Sequence, residues 1–174
     1  MRPIWSDIFN AMLKLSKKVD YGLISLMHLA RHPDKAHWSA REIGAEYDIP
    51  LEVLAKVLQK LAQRGLLNSQ HGAYGGYSLR LSPDKINVAE VIQAIEGPFS
   101  LTDCVSDEGI CGQFDKCNVK SPLQRLNDLV VQGLMDITIE QMNREDSDLS
   151  DQSSAAHNEP SLVSITIPEQ RRII

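Results

Sequence analysis

The feature that most constrains the fold is a short helix, a tight turn and a longer helix placed within residues 39–64. Ser39 and Glu42 have the spacing of a capping box, which begins the short helix. The turn at residues 48–50 separates it from a second helix whose apolar residues recur at helical spacing and whose opposite face is polar and basic. The pattern predicts a helix-turn-helix. The residues predicted to be buried on the longer helix are Leu51, Leu54, Val57, Leu58 and Leu61.

Two short runs suited to strands follow directly, at residues 66–71 and 77–81, around the glycine-rich turn at 72–76. A hairpin in this place is the wing of a winged helix, whose tip commonly reaches a minor groove or phosphates. The glycine-rich turn joins strand to strand, so it does not fit a nucleotide-binding loop, which joins strand to helix. With a further helix predicted at residues 16–31, the fold class is mainly α.

The charge of the chain is unevenly distributed, which bears on the partner. The net charge is -5, yet residues 12–101 carry 11 Lys and Arg against 9 Asp and Glu. The acidity therefore lies in the C-terminal half, and the winged helix is free to meet a phosphate backbone. The alternative is a protein-interaction module in which Lys56, Lys60 and Arg64 form only a solvated face. We expect double-stranded DNA as the partner, with an inverted-repeat operator because helix-turn-helix proteins usually bind as symmetric dimers.

Three cysteines, Cys104, Cys111 and Cys117, lie within one 14-residue stretch, and the other 160 residues contain none. The stretch is polar and short of apolar residues that would bury a thiol. No run of 18 apolar residues and no secretory signal pattern is present, so we expect no membrane partner and a reducing cytoplasm, where metal binding is favoured over a disulfide. Three thiolates on one loop are a ligand set for a soft metal centre with one position left over.

After the cysteines, Ser121 and Pro122 mark a helix start. Apolar residues then follow in a narrow stripe that predicts a helix packed on its twin in a homodimer, the alternative being packing on its own front domain. The stripe consists of Leu123, Leu126, Val130, Leu134 and Ile137.

These features divide the chain into five parts. An N-terminal extension (1–11) precedes the winged helix-turn-helix domain (12–101), which has a two-stranded wing. A cysteine loop (102–120) and a long dimerisation helix (121–143) follow. The rest (144–174) is polar, acidic and without period, which is typical of a disordered tail.

From residue 12 to about residue 142 the sequence resembles the winged-helix iron–sulfur transcription regulators of the IscR/NsrR type, and within it the regulators of the SUF iron–sulfur assembly system. The resemblance is carried in order by the first helix, the recognition helix, the wing, the linker and the cysteine segment. The matching runs are residues 15–17, 20–22, 28–34, 55–58, 69–73, 75–77, 94–98 and 101–104, with the two later cysteines.

The resemblance implies that Cys104, Cys111 and Cys117 hold an iron–sulfur cluster, 2Fe–2S or 4Fe–4S, and that a fourth ligand comes from elsewhere. The IscR branch uses a histidine three residues after the last cysteine, where this chain has Lys120. The NsrR branch uses an aspartate on the first helix of the partner subunit, and Asp20 occupies that place. His28, His32 and His37 are weaker ligand candidates.

The prediction is a DNA-binding regulator, in the repressor class, of iron–sulfur assembly or stress genes, without enzymatic activity. We expect recognition-helix residues in the major groove, wing residues at the hairpin, and further polar residues on phosphates. These are Lys56, Gln59 and Lys60 for the groove; His71, Tyr74 and Arg80 for the wing; and Ser16, Lys17, Ser39 and Arg41 for phosphates. The alternatives are a cluster-free regulator that uses zinc or thiol oxidation, and a small iron–sulfur carrier or electron-transfer protein.

Overall fold

The computed structural model describes residues 15–72, 75–100 and 116–145. Its helices are α1 (Lys17–Arg31), α2 (Ala40–Glu46), α3 (Leu51–Gln63), α4 (Val88–Glu96) and α5 (Lys120–Asp136). Strands β1 (Leu67–Gln70) and β2 (Gly76–Leu79) pair antiparallel, and a 3-10 turn (Pro83–Lys85) precedes α4. This is the predicted mainly α winged helix-turn-helix with a long C-terminal helix. No helix in the described ranges is both long and apolar enough to cross a membrane.

The structure confirms the helix starts predicted at Ser16 and Ser39. The predicted Ser121 cap is wrong, because α5 begins at Lys120 and its N-cap, Val119, makes no side-chain capping hydrogen bond. The Ser16 hydroxyl accepts a hydrogen bond from the Val19 amide at the start of α1. Ser39 and Glu42 form the complete capping box at the start of α2, and Asn87 caps α4 in the same reciprocal way. Each cap satisfies backbone amides that a helix leaves unpaired in its first turn.

The turn between α2 and α3 depends on two unusual backbone positions. Asp48 takes a φ of 52°, a left-handed conformation that a short polar side chain tolerates. Gly44 lies so close to the turn that a Cβ there would be 3.0 Å from the Ile49 carbonyl oxygen. The two positions fix the angle at which α3 leaves α2.

The core lies where α1, α3 and α4 meet, with α2 and the start of β1 at its margin. One predicted core residue is wrong: Leu51 is 43% exposed, because it is the first residue of α3 and its turn faces solvent. The other four predicted core residues of α3 are buried. The largest fully buried aliphatic side chains are Leu26, Ile43, Leu54, Leu58, Leu61, Ile86, Ile92, Ile95 and Ile139.

The wing is fixed to the body of the domain through Trp38. Trp38 and Tyr77 exchange two backbone hydrogen bonds, of 3.0 and 2.8 Å, so the segment before α2 extends the hairpin by one bridge. A Cβ on Gly76 would lie 2.6 Å from the Trp38 carbonyl oxygen, so this close approach requires glycine. Residues 73–74, which include Tyr74, lie outside the described residues.

The C-terminal helix is shorter than the predicted range of 121–143. It ends at Asp136, and Ile137 and Thr138 are extended. Thr138 then begins a second helical segment (139–145) through reciprocal hydrogen bonds with Gln141, a capping box that competes with helix continuation. This segment includes the first two residues of the predicted tail.

Backbone pairing holds the end of α5 against the winged helix. The Val88 amide donates to the Ile137 carbonyl at 3.0 Å, and the Ile139 amide donates to the Ile86 carbonyl at 2.9 Å. Ile139 is fully buried in the core. The predicted extension (1–11), residues 146–174 of the predicted tail (144–174) and most of the cysteine loop lie outside the described residues.

Candidate nucleic-acid interface and metal-binding segment

A polar groove runs between α3 and the wing. Lys56 and Gln59 project from α3 toward it, and His71 approaches from the end of β1. Its walls carry many amide side chains and few charged ones, and the charges of Lys56 and Glu52 are of opposite sign. The polar side chains that line it are Ser39, Glu52, Lys56, Gln59, Gln63, Asn68, Ser69, Gln70, His71 and Tyr77. The structure thus brings together Lys56, Gln59 and His71, which the sequence assigned to DNA.

Lys60 does not line this groove. Its ammonium donates a hydrogen bond to the backbone carbonyl of Ile95, in the last turn of α4. Lys60 lies four residues after Lys56, but its long side chain leaves the face shared by Lys56 and Gln59. The sequence placed Lys60 with these two residues because helical spacing gives the position of a Cα, not the direction of a flexible side chain.

Arg80 also lies outside the groove, at the base of the hairpin. Its guanidinium lies beside Gly65, where a Cβ would be 3.3 Å from an Arg80 terminal nitrogen. Gly65 takes a φ of 79°, which ends α3 in a conformation that favours glycine. Arg80 is exposed, so its charge faces solvent beside the junction of α3 and β1.

The residues predicted to position phosphates lie at the starts of α1 and α2. Lys17 is exposed and lies 3.5 Å from the Asp20 carboxylate, and Arg41 is exposed on the first turn of α2. The Ser39 hydroxyl lies 2.8 Å from a Glu42 carboxylate oxygen, so it is engaged in the cap. The Ser16 hydroxyl caps α1. Each serine directly precedes a helix whose first turn carries backbone amides that can meet a phosphate at the surface.

A salt bridge supports the cap of α2. The Lys35 ammonium lies 2.6 Å from the Glu42 carboxylate and 3.9 Å from the centre of the Trp38 ring. The hydrogen bond from Lys35, followed by those from Ser39, lowers the pKa of the Glu42 carboxyl to about 2. The Glu42 carboxylate therefore stays ionised at neutral pH, as the cap of α2 requires.

Sequence patterns did not reveal a buried aromatic cluster around His28. The His28 Nδ1 lies 3.1 Å from the Tyr47 hydroxyl, and the His28 ring packs edge-on against Trp38 at 4.2 Å. Burial, followed by the neighbouring His32, holds the pKa of His28 below its ordinary value. His32 Nδ1 is 2.8 Å from the His28 carbonyl oxygen. Both histidines thus have local structural roles in joining α1 to the helix-turn-helix.

Three groove residues, Gln63, Asn68 and Gln70, were also absent from the sequence prediction. Gln63 lies four residues after Gln59, so helical spacing alone could have placed it on the same face. Asn68 and Gln70 alternate with Ser69 on β1, and which of them face the groove depends on how β1 twists against α3. That information is not local in the sequence.

The candidate metal-binding segment is described only at its end. Cys117 is a half-buried free thiol three residues before α5 begins at Lys120, whereas Cys104 and Cys111 lie outside the described residues. In the ranges that the structure covers, no group of three or more His, Cys, Asp or Glu side chains is placed to hold a metal. Asp20 is partly exposed beside Lys17. The donor chemistry fits an iron–sulfur cluster, because cysteine thiolates are its usual protein ligands.

Comparisons with known proteins agree with this architecture. The IscR regulator of Pectobacterium carotovorum is 28% identical over 145 residues, which is 82% of this chain and 88% of the relative. The NsrR regulator of Shouchella clausii is 28% identical over 138 residues, or 79% and 93%. The structure of CymR, the global cysteine regulator of Bacillus subtilis, superposes with a TM-score of 0.61 at 28% identity over 77% of this chain and 98% of CymR.

These relatives are transcriptional regulators and not enzymes, and their winged helices agree with a DNA-binding role for the groove beside α3. The family model for Rrf2, described as an iron-dependent transcriptional regulator, matches residues 15–145 and so spans the winged helix, the cysteine segment and α5. The resemblance noted in the sequence is confirmed at the level of the family. The chain belongs to the Rrf2 family of transcriptional regulators.

Proposed function

We propose that this regulator is a cytoplasmic homodimer that binds an inverted-repeat operator and senses iron–sulfur status or oxidative stress through a cluster bound to its cysteines. The observation that carries the proposal is one of placement. A winged helix with an open groove is followed by a three-cysteine segment, and this segment leads directly into α5. A change at the cysteines is therefore adjacent in the chain to the helix that would join two subunits.

In this proposal the groove beside α3 meets the major groove of DNA. Lys56 and Gln59 contact base edges, because a lysine suits guanine and a glutamine suits adenine. His71, Tyr74 and Arg80 belong to the wing, and Ser16, Lys17, Ser39 and Arg41 position phosphates. Lys60, which contacts Ile95, has a different role that is developed below.

Cys104, Cys111 and Cys117 would hold the cluster as thiolates. When bound, the cluster supplies iron that is sensitive to oxidants and to iron supply. Asp20 of the partner subunit is the proposed fourth ligand, since this chain has Lys120 at the position where the IscR branch has histidine. The sequence is compatible with 2Fe–2S and with 4Fe–4S.

The dimer is supported by an uncovered apolar face on α5. Leu126 is 49% exposed and Leu129 is 66% exposed, and a Cβ on Gly133 would contact nothing within the described residues. Leu134 instead packs against the core of its own chain. The helix thus uses one side for its own domain and leaves the other for a second copy of α5, as a symmetric operator requires.

The regulated genes proposed from the resemblance are those of iron–sulfur assembly or stress, with repression as the mode. A cluster-free thiol regulator is the second candidate, and similarity to CymR, a cysteine regulator, supports it. Family membership favours both over a carrier or electron-transfer protein.

The test of DNA recognition starts from duplexes selected out of a random pool with the wild-type protein. Lys56→Ala is then compared with Lys85→Ala, a change of equal charge on an exposed residue outside the groove. The proposal predicts that Lys56→Ala weakens binding at least about fivefold, since a good base contact contributes about 1–3 kcal/mol, and that Lys85→Ala does not. Unchanged affinity for Lys56→Ala would refute the groove assignment.

A further inference from the structure

Lys60 was predicted to contact DNA from the recognition helix α3, but its side chain contacts another helix, α4. Its ammonium donates to the carbonyl oxygen of Ile95, 35 residues further along the chain. This carbonyl is among the last four of α4, which have no amide partner within the helix. The Gln93 carbonyl, two residues earlier, accepts a hydrogen bond from the Gly97 amide at 3.0 Å. The Ile95 carbonyl instead has its partner on α3, the Lys60 ammonium.

A charge in this position is favourable on two counts. A cation at the C-terminus of a helix interacts favourably with its dipole. A hydrogen bond from a charged donor is also stronger than one between neutral groups. The contact therefore links the position of α3 to the position of the last turn of α4.

The last turn of α4 precedes the cysteine segment in the sequence and packs near Asp20 of α1. Ile95 is nine residues before Cys104 in the sequence. Its side chain packs on α1 at Gly22, only two residues from Asp20, where a Cβ on Gly22 would overlap the Ile95 Cδ1 atom. The same Cβ would lie 3.5 Å from Val57 Cγ1 of α3. A displacement of α1 near Asp20 would therefore act on Ile95 as well as on Val57 of α3.

We propose that Lys60 is a positioning residue that couples the state of the cysteine segment to the recognition helix. This inference rests on the proposed function. When the last turn of α4 is held in place, the Ile95 carbonyl accepts the hydrogen bond from Lys60, and α3 presents Lys56 and Gln59 to the major groove of DNA. When that turn shifts, the hydrogen bond is lost and α3 presents Lys56 and Gln59 differently to the DNA. Lys60 acts through Ile95 and not through contact with DNA.

A merely structural contact would also stabilise the fold, so stability alone does not test the proposal. The distinguishing quantity is the ratio of operator affinities of cluster-loaded and cluster-free protein, which is the coupling between the two sites. Removing a structural contact lowers both affinities by a similar factor and leaves the ratio unchanged. Removing a coupling contact brings the ratio toward one.

The experiment uses the full chain, prepared without oxygen, and a duplex selected from random DNA with the wild-type protein. Affinities are measured by fluorescence anisotropy for loaded and cluster-free samples of wild type, Lys60→Met, Lys60→Arg and Lys85→Met. Methionine keeps an unbranched apolar side chain without the donor, and arginine keeps a donor. Lys85→Met is the charge-matched control, and thermal unfolding confirms that each variant folds.

We expect a wild-type ratio in the typical range of about 5- to 150-fold, a ratio below about 2-fold for Lys60→Met, and wild-type ratios for Lys60→Arg and Lys85→Met. A wild-type ratio retained in Lys60→Met would overturn the coupling role and leave the sensing function intact. A ratio of one in the wild type itself would overturn the sensing function and the coupling together. If Lys60→Met does not fold, Lys60→Gln replaces it, with the same two readings.

Discussion

Gly22 of α1 lies directly against the Ile95 side chain of α4, so closely that a Cβ on Gly22 would overlap the Ile95 Cδ1 atom. Val57 and Val91 each contribute a Cγ1 atom 3.5 Å from the same point, so α1, α3 and α4 converge on one small residue. Ile95 is 1% exposed and has little room to move aside. The spacing of the three helices therefore depends on the absence of a side chain at residue 22.

Gly22→Ala should destabilise the fold by about 1–3 kcal/mol, because the added methyl overpacks a closed site. Ile95→Val removes the Cδ1 atom and alone should cost about 0.5–1.5 kcal/mol. The double variant should be more stable than the sum of the two losses predicts, which urea unfolding measures as a double-mutant cycle. Strict additivity would show that the contact does not set the helix spacing.

The groove residues should separate into two kinds of DNA contact. Gln59→Ala should alter base preference at one position in each half-site, since an amide pair with adenine discriminates by about 1–3 kcal/mol. Arg41→Ala should weaken all sequences alike and reduce the slope of log affinity against log salt by about 1. Selection from random DNA and salt titrations measure the two effects. An unchanged preference for Gln59→Ala would assign that residue to the backbone instead.

The exposed face of α5 should control oligomeric state. Leu129→Glu places a charge on the 66% exposed apolar residue and should convert a dimer to monomers at micromolar concentration. Gln124→Glu, a charge change on an exposed residue elsewhere on α5, is the control and should leave the dimer intact. Analytical ultracentrifugation distinguishes the two species. A dimeric Leu129→Glu protein would place the subunit interface on another surface.

Acidification should destabilise the protein through His28. Its pKa lies below the ordinary value of 6.5 because burial disfavours the charged ring. The unfolded chain therefore binds a proton first as the pH falls through about 6.5, and stability decreases from there until the folded-state pKa is passed.

In His28→Gln this part of the pH dependence should disappear, and the unfolding free energy should change less between pH 7 and pH 5. Chemical denaturation at each pH measures the slope for both proteins. The other histidines are common to both and cancel in the comparison. Equal slopes of unfolding free energy against pH in the two proteins would mean that burial does not keep His28 neutral in the fold.

The fold was largely predictable because its signals are local. The capping box of Ser39 and Glu42, the turn at residues 48–50 and the glycine-rich turn of the wing each act within a few residues. The end of α5 was not predicted, because Thr138 and Gln141 start a new helix where the apolar stripe continues through Ile137. Nor was the exposure of Leu51, since helical spacing does not show where the core ends.

The site divides in the same way. Lys56 and Gln59 lie on one face of α3 as helical spacing predicted, His71 reaches the same groove from the wing, and the contact of all three with DNA stays a prediction. The contact of Lys60 with Ile95 and the cluster around His28 depend on how helices far apart in sequence are packed, which no local pattern encodes. The roles of Cys104, Cys111 and Cys117 remain predictions from the sequence and from the resemblance.

The most direct test of the proposed sensing function is the iron and acid-labile sulfide content of the full chain purified without oxygen, together with its visible absorption spectrum. We expect about two or about four iron atoms and a similar amount of sulfide per chain, as a 2Fe–2S or a 4Fe–4S cluster holds, with broad visible absorption that Cys117→Ser abolishes. A colourless wild-type protein without iron or sulfide, prepared in the same way and folded, would contradict it.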